Sequence, residues 1–130
     1  MDDGEALALL RARGADPVVL DGIAASGLAV AVALCAVEAT GPLGWLRRRL
    51  RPGASLSDGE HRRLAAVAAL AADVAEMEQG ADNARRFWSQ PMPWLGGRTP
   101  AQALVRRAGP GVIEDLINRI KYGIYRSEEH

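Results

Sequence analysis

Apolar side chains recur at three- and four-residue spacing over long stretches of the chain, the period that gathers them on one face of an α-helix. Leu64, Val67, Ala71 and Val74 form one such stripe, and Ile113, Leu116, Ile117 and Ile120 form another. Leu43, Leu46 and Leu50 share a face in a shorter stretch. No run alternates apolar and polar residues for long enough to make a strand, and β-branched residues are scattered among alanine and leucine. The expected fold is therefore all-α, a small helical bundle.

Polar and special residues divide these stripes into elements. Asp16 followed by Pro17 suits an N-cap and first helical position, opening a helix through Leu20 and Ile23 towards Gly27. A second helix is expected from about Leu28 to Ala39, stopped by Thr40, Gly41 and Pro42, and a third over the leucines that follow, ended by Pro52 and Gly53. Ser57 and Glu60 form a capping box, the clearest helix start in the chain, and that helix should reach about Gln79 with Gly80 as its C-cap. Asp82 is expected to cap a shorter helix through Phe87 and Trp88, which Pro91 and Pro93 prevent from continuing. Gly96 and Gly97 permit a tight reversal. Thr99, Pro100 and Gln102 then give a second capping box, and the short helix it opens should end near Gly109. In the last helix Asp115 and Arg119 are spaced to pair on the face opposite the isoleucines, with Gly123 as the stop.

Composition narrows the class. The chain has 130 residues, sixteen Lys+Arg against sixteen Asp+Glu, 48% hydrophobic and 25% charged residues, which suits one globular domain or two very small ones. Zero net charge argues against a non-specific nucleic-acid coat. One cysteine, Cys35, leaves no internal disulfide and points to the cytoplasm. Asp2, Asp3 and Glu5 stand where a secretion signal would need basic residues, and the uncharged stretch between Asp21 and Glu38 is too short and alanine-rich to span a bilayer. Acids dominate up to residue 40 whereas the third helix carries only arginines, so a boundary is drawn at Gly53–Leu56, dividing 1–56 from 57–130.

Catalytic machinery is hard to assemble from these residues. Two histidines, His61 and His130, are too few for a metal site of the His/Cys kind, and no nucleophile with a base or phosphate cradle stands out, so neither catalytic residues nor a cofactor are assigned. Cys35, in an Ala/Val/Leu run, reads as a buried inert thiol, His61 as a solvated residue beside a cap, and Glu114 and Asp115 as solvated surface. Arg47, Arg48, Arg49 and Arg51 follow a helix and turn in helix-turn-helix outline, where basic residues grip phosphates. Pro42, Leu43, Gly44 and Trp45 occupy the positions of base-reading side chains, so this reader is degenerate; the alternative is a solvated or protein-binding basic face. Phe87, Trp88 and Trp94 gather around the Pro91–Gly97 loop and read as a local aromatic core. The Ser57–Gln79 helix is alanine-rich on nearly every side, so burial inside the protein or at a homodimer contact is expected.

One ordered series of residues carries a resemblance. Ala84, Trp88, Pro91, Trp94, Leu95, Gly96, Gly97, Thr99, Pro100, Leu104, Val105, Gly109, Val112, Ile113, Leu116, Ile120 and Gly123 resemble the C-terminal domain of the Xre/MbcA/ParS antitoxins. That pattern is a helix ending in Trp, a proline loop, LGG-x-TP, and a closing helix with I-x-x-G. Here the core reads WLGGRTPAQALV and the closing helix ends RIKYG, with Pro93-Trp94 standing where the family has Pro-Asn. The likeness covers roughly residues 57 to 125, LRRRLRPGASLSDGEHRRL is similar to the family's junction with its helix-turn-helix, and the ParS branch is nearest.

The resemblance implies an antitoxin of a type II toxin–antitoxin system that itself catalyses nothing. Its implied partner is a RES-domain toxin that breaks down NAD or transfers ADP-ribose to a protein, neutralised by direct binding at its NAD cleft. Contact with operator DNA is implied as well, and the alanine-rich Ser57–Gln79 helix adds the expectation of a homodimer within the complex. Lys121, Tyr122, Ile124, Tyr125 and Arg126 surround the expected helix stop, and the tyrosines resemble interface anchors. They are expected to plug the cleft, with Glu128 and Glu129 meeting its cationic residues and Trp94 and Arg98 of the loop adding to the toxin-binding set. The competing reading is a small DNA-binding transcriptional regulator whose C-terminal helices only dimerise it.

Overall fold

The computed structural model describes residues 2–38 and 55–122. Among them are seven α-helices and no strand, in agreement with the all-α expectation. Helix α1, Asp3–Ala12, is capped by Asp2, whose carboxylate accepts from the Glu5 amide at 2.8 Å. That backbone bond holds the Asp2 carboxyl below its ordinary pKa. Helix α2, Pro17–Ser26, is capped by Asp16 through the Val18 amide at 2.9 Å. It ends at Gly27, which adopts φ 92, and a Cβ there would overlap the Ala81 carbonyl, so the turn into α3 can lie against the start of a later helix only with glycine. Helix α3, Val30–Glu38, buries Val30, Ala33, Leu34, Ala36 and Val37.

The centre of the bundle is α4, Asp58–Met77. Both halves of its capping box form: Ser57 Oγ accepts from the Glu60 amide at 3.1 Å, and Glu60 Oε1 from the Ser57 amide at 2.8 Å. Leu64, Val67, Leu70, Ala71 and Val74 are buried as the helix packs against α2, α3 and the helices that follow. Each large side chain so buried contributes about 1.5–3 kcal/mol. The helix closes at Glu78, slightly earlier than expected. Gln79 takes the left-handed position (φ 63), and Gly80 instead precedes α5, Ala81–Ser89. Asp82 lies inside the first turn of α5, not at its cap, and pairs with Arg85 at 3.2 Å.

A 3-10 turn, Pro93–Leu95, leads to α6, Pro100–Leu104, and α7, Gly109–Lys121. One hydrophobic core runs from Ala6 and Leu10 through Leu34, Leu64 and Trp88 to Leu116 and Ile117, and so crosses the drawn boundary. Leu56 is buried, and its amide donates to the Arg13 carbonyl at 2.9 Å. No helix among the described residues is long and apolar enough to cross a membrane.

Candidate functional site

The loop from Pro91 to Thr99 is built from backbone bonds. Met92 is its anchor: its carbonyl accepts from the Leu95 and Gly97 amides at 3.0 Å each, and its amide donates to the Arg98 carbonyl at 3.0 Å. Gly96 and Gly97 lie at φ 69 and 85, two successive left-handed residues that any side chain would strain. Thr99 then opens α6 with a complete capping box, accepting from the Gln102 amide at 3.1 Å while Gln102 accepts from the Thr99 amide at 2.9 Å. Beyond α6 the chain turns sharply, and a Cβ on Gly109 would collide with the Leu104 carbonyl.

These turns enclose a groove of about 300 Å³. Buried Leu95, Ala103 and Gly109 form its floor with half-buried Val112, while half-buried Trp94 and exposed Arg98 and Arg106 stand around it. Trp94 is fixed from α7, where the Arg119 guanidinium carbon lies 4.7 Å from its ring centroid and Arg119 Nε is 3.4 Å from Asp115 Oδ2. The expected Asp115–Arg119 pair therefore forms and also orients a loop residue. Phe87 and Trp88 make the aromatic core, edge to face at 5.6 Å, whereas Trp94 stands outside that pair.

Arg63 of α4 secures the turn that carries Arg106. Its Nε donates to the Ala36 carbonyl at 2.5 Å, Nη1 to that of Arg107 at 2.7 Å and Nη2 to that of Arg106 at 2.6 Å. Burial pushes its pKa down from the usual arginine value. One guanidinium thus ties the end of α3 to the groove. Sequence reading passed over Arg63; a basic residue beside Leu64, on a partly inward face, was the available signal.

Trp94 and Arg98, both expected in the toxin-binding set, are brought together here. Lys121 is not with them: it lines a second groove between α4 and α7, with Ala66, Ala69, Asp73 and Glu114. Tyr122 caps α7 and is 74% exposed. Ile124, Tyr125, Arg126, Glu128 and Glu129 lie outside the described residues, as do Gly123, the leucines 43–50 and the arginines Arg47, Arg48, Arg49 and Arg51. Cys35 is exposed, contrary to expectation, because Ala33, Leu34, Ala36 and Val37 take the inward positions of α3 and leave residue 35 outside. No group of three His, Cys, Asp or Glu among the described residues is arranged to hold a metal. No family model, curated protein or solved structure matches the chain.

Proposed function

We propose that the chain is the antitoxin of a type II toxin–antitoxin pair, neutralising a RES-domain toxin that degrades NAD or ADP-ribosylates a protein, by binding that blocks the toxin's NAD cleft. The observation that carries this reading is the WLGGRTP segment. Its residues form a loop fixed by caps, left-handed glycines and Arg119, which presents Trp94 and Arg98 on one groove. A surface held in place before binding loses little freedom on association, as suits a binding protein. In this reading the antitoxin is a cytoplasmic homodimer that catalyses nothing and needs no cofactor. Lys121 and Tyr122 extend its toxin contact past the end of α7, and Ile124, Tyr125 and Arg126 belong to the same contact. Operator DNA is met through Arg47, Arg48, Arg49 and Arg51.

The test is co-expression with the RES-domain toxin encoded beside it, following cellular NAD and growth. Intact antitoxin should preserve both and co-purify with the toxin. A chain combining Trp94→Ala with Arg98→Glu should preserve neither. Absence of a RES-domain neighbour, or unaltered NAD loss with the intact chain, would overturn the proposal.

A further inference from the structure

The groove beside Trp94 carries charge of one sign. No carboxylate lines it, and the exposed side chains of Arg98 and Arg106 make no hydrogen bond or ion pair among the described residues. Arg119, by contrast, is engaged by Trp94 and Asp115. Two other clefts of similar size mix signs: Asp3 and Arg85 share one beside Trp88, and Asp73 and Glu114 share the α4–α7 groove with Lys121. We infer that the groove receives an acidic segment of a protein partner, seating one apolar side chain on Leu95, Ala103 and Val112 with flanking carboxylates on Arg98 and Arg106. This rests on the reading of the loop as a partner-binding surface, though not on the partner's being a toxin.

Size and chemistry select this occupant. At about 300 Å³ the groove is at the lower end of ligand pockets, room for a side chain rather than a large cofactor. Guanidinium groups match carboxylates in geometry as well as charge. A nucleic acid is served less well. One face of Trp94 is already covered by Arg119, so ring stacking is restricted, and a chain of zero net charge supplies no broad field for a polyanion.

The experiment titrates isotope-labelled full-length protein with blocked pentapeptides and follows the Trp94 indole N–H and the Gly96 and Gly97 amides by NMR. A phenylalanine flanked on each side by two glutamates should give saturable shifts. Replacing the phenylalanine by alanine, or the glutamates by lysines, should weaken binding at least about fivefold, and Arg98→Glu and Arg106→Glu should each do the same. Both arginines are exposed, so unchanged melting temperatures are expected; should a variant fail to fold, loss of wild-type binding on raising salt reads the same charge contact. Equal binding of the lysine peptide, salt-independent binding, or indifference to both reversals overturns the inference. So does tighter binding of octathymidylate with the same shifts. NAD protection without peptide binding removes this inference and leaves the antitoxin reading, whereas peptide binding without NAD protection does the opposite.

Discussion

Helix α4 and the loop at residues 91–99 are held by different physics. The helix is fixed by what its side chains bury, with Leu64, Val67, Ala71 and Val74 all inside and its caps adding only local order. The loop has one buried apolar residue from its 3-10 turn, Leu95, and is fixed by Met92's three backbone bonds and two left-handed glycines. Burial is non-directional and roughly proportional to area, so α4 should tolerate changes that keep volume. Backbone conformation has no such substitute. A loop made in the second way keeps its shape while Trp94 stays only half-buried against the core and Arg98 stands exposed.

The contrast is broken most directly at Leu64. Truncation to alanine should lower stability by about 2–5 kcal/mol, because a fully buried side chain leaves a cavity. A loss below about 1 kcal/mol in urea unfolding would mean that packing does not hold α4. Arg63→Ala should come next, at about 2–4 kcal/mol, since three carbonyls lose a charged donor of which part is solvent-screened. Arg63→Lys should recover little of it, an ammonium lacking the planar fork, and NMR shifts of Arg106 and Arg107 should move in both variants.

Gly97→Ala sharpens the loop half of the comparison. With open space around the missing Cβ, its effect is conformational alone, about 1–2 kcal/mol of destabilisation. Gly111→Ala is its control: that glycine is helical, exposed and equally uncrowded, so the same substitution should stabilise by about 0.4–1 kcal/mol. Equal effects at the two sites would show that the left-handed loop conformation is not constraining. The smallest effect is at Asp2. Its carboxyl is lowered by the Glu5 amide, so its contribution is present above the unfolded pKa and is lost as pH falls through the lower folded value. Acid melting profiles should show this slight loss in the native protein, and Asp2→Asn should flatten it.

Features spelled by neighbouring residues were legible in the sequence. Ser57 with Glu60, Thr99 with Gln102, and Asp16 with Pro17 each open the helix they foretell, because a cap is satisfied within four residues. Helix α1 was missed although Asp2 and Glu5 stood at capping distance; their charge was read and their spacing was not. The orientation of α3 was not readable, since a continuous apolar run has no polar face to set its phase, and Cys35 went to the wrong side. Trp94 and Arg98 could be singled out from their motif, but their union with Arg106 in one groove depends on the turn after α6.

The Arg63 bonds span 27 residues back to Ala36 and 43 and 44 forward to Arg106 and Arg107, which gives them a place in time as well as in space. Contacts so distant along the chain cost more loop-closure entropy than those between neighbouring helices, by about 0.6 kcal/mol for each doubling of the loop, and are expected to complete after them. Helices α4 and α5 can dock as neighbours while the groove is still unfinished. Removing Arg63 should therefore accelerate unfolding and leave the refolding rate nearly unchanged, the kinetic signature of a bond formed after the transition state. On the ribosome, the Arg63 tie cannot close until Arg106 and Arg107 have emerged, more than forty residues after Arg63 itself.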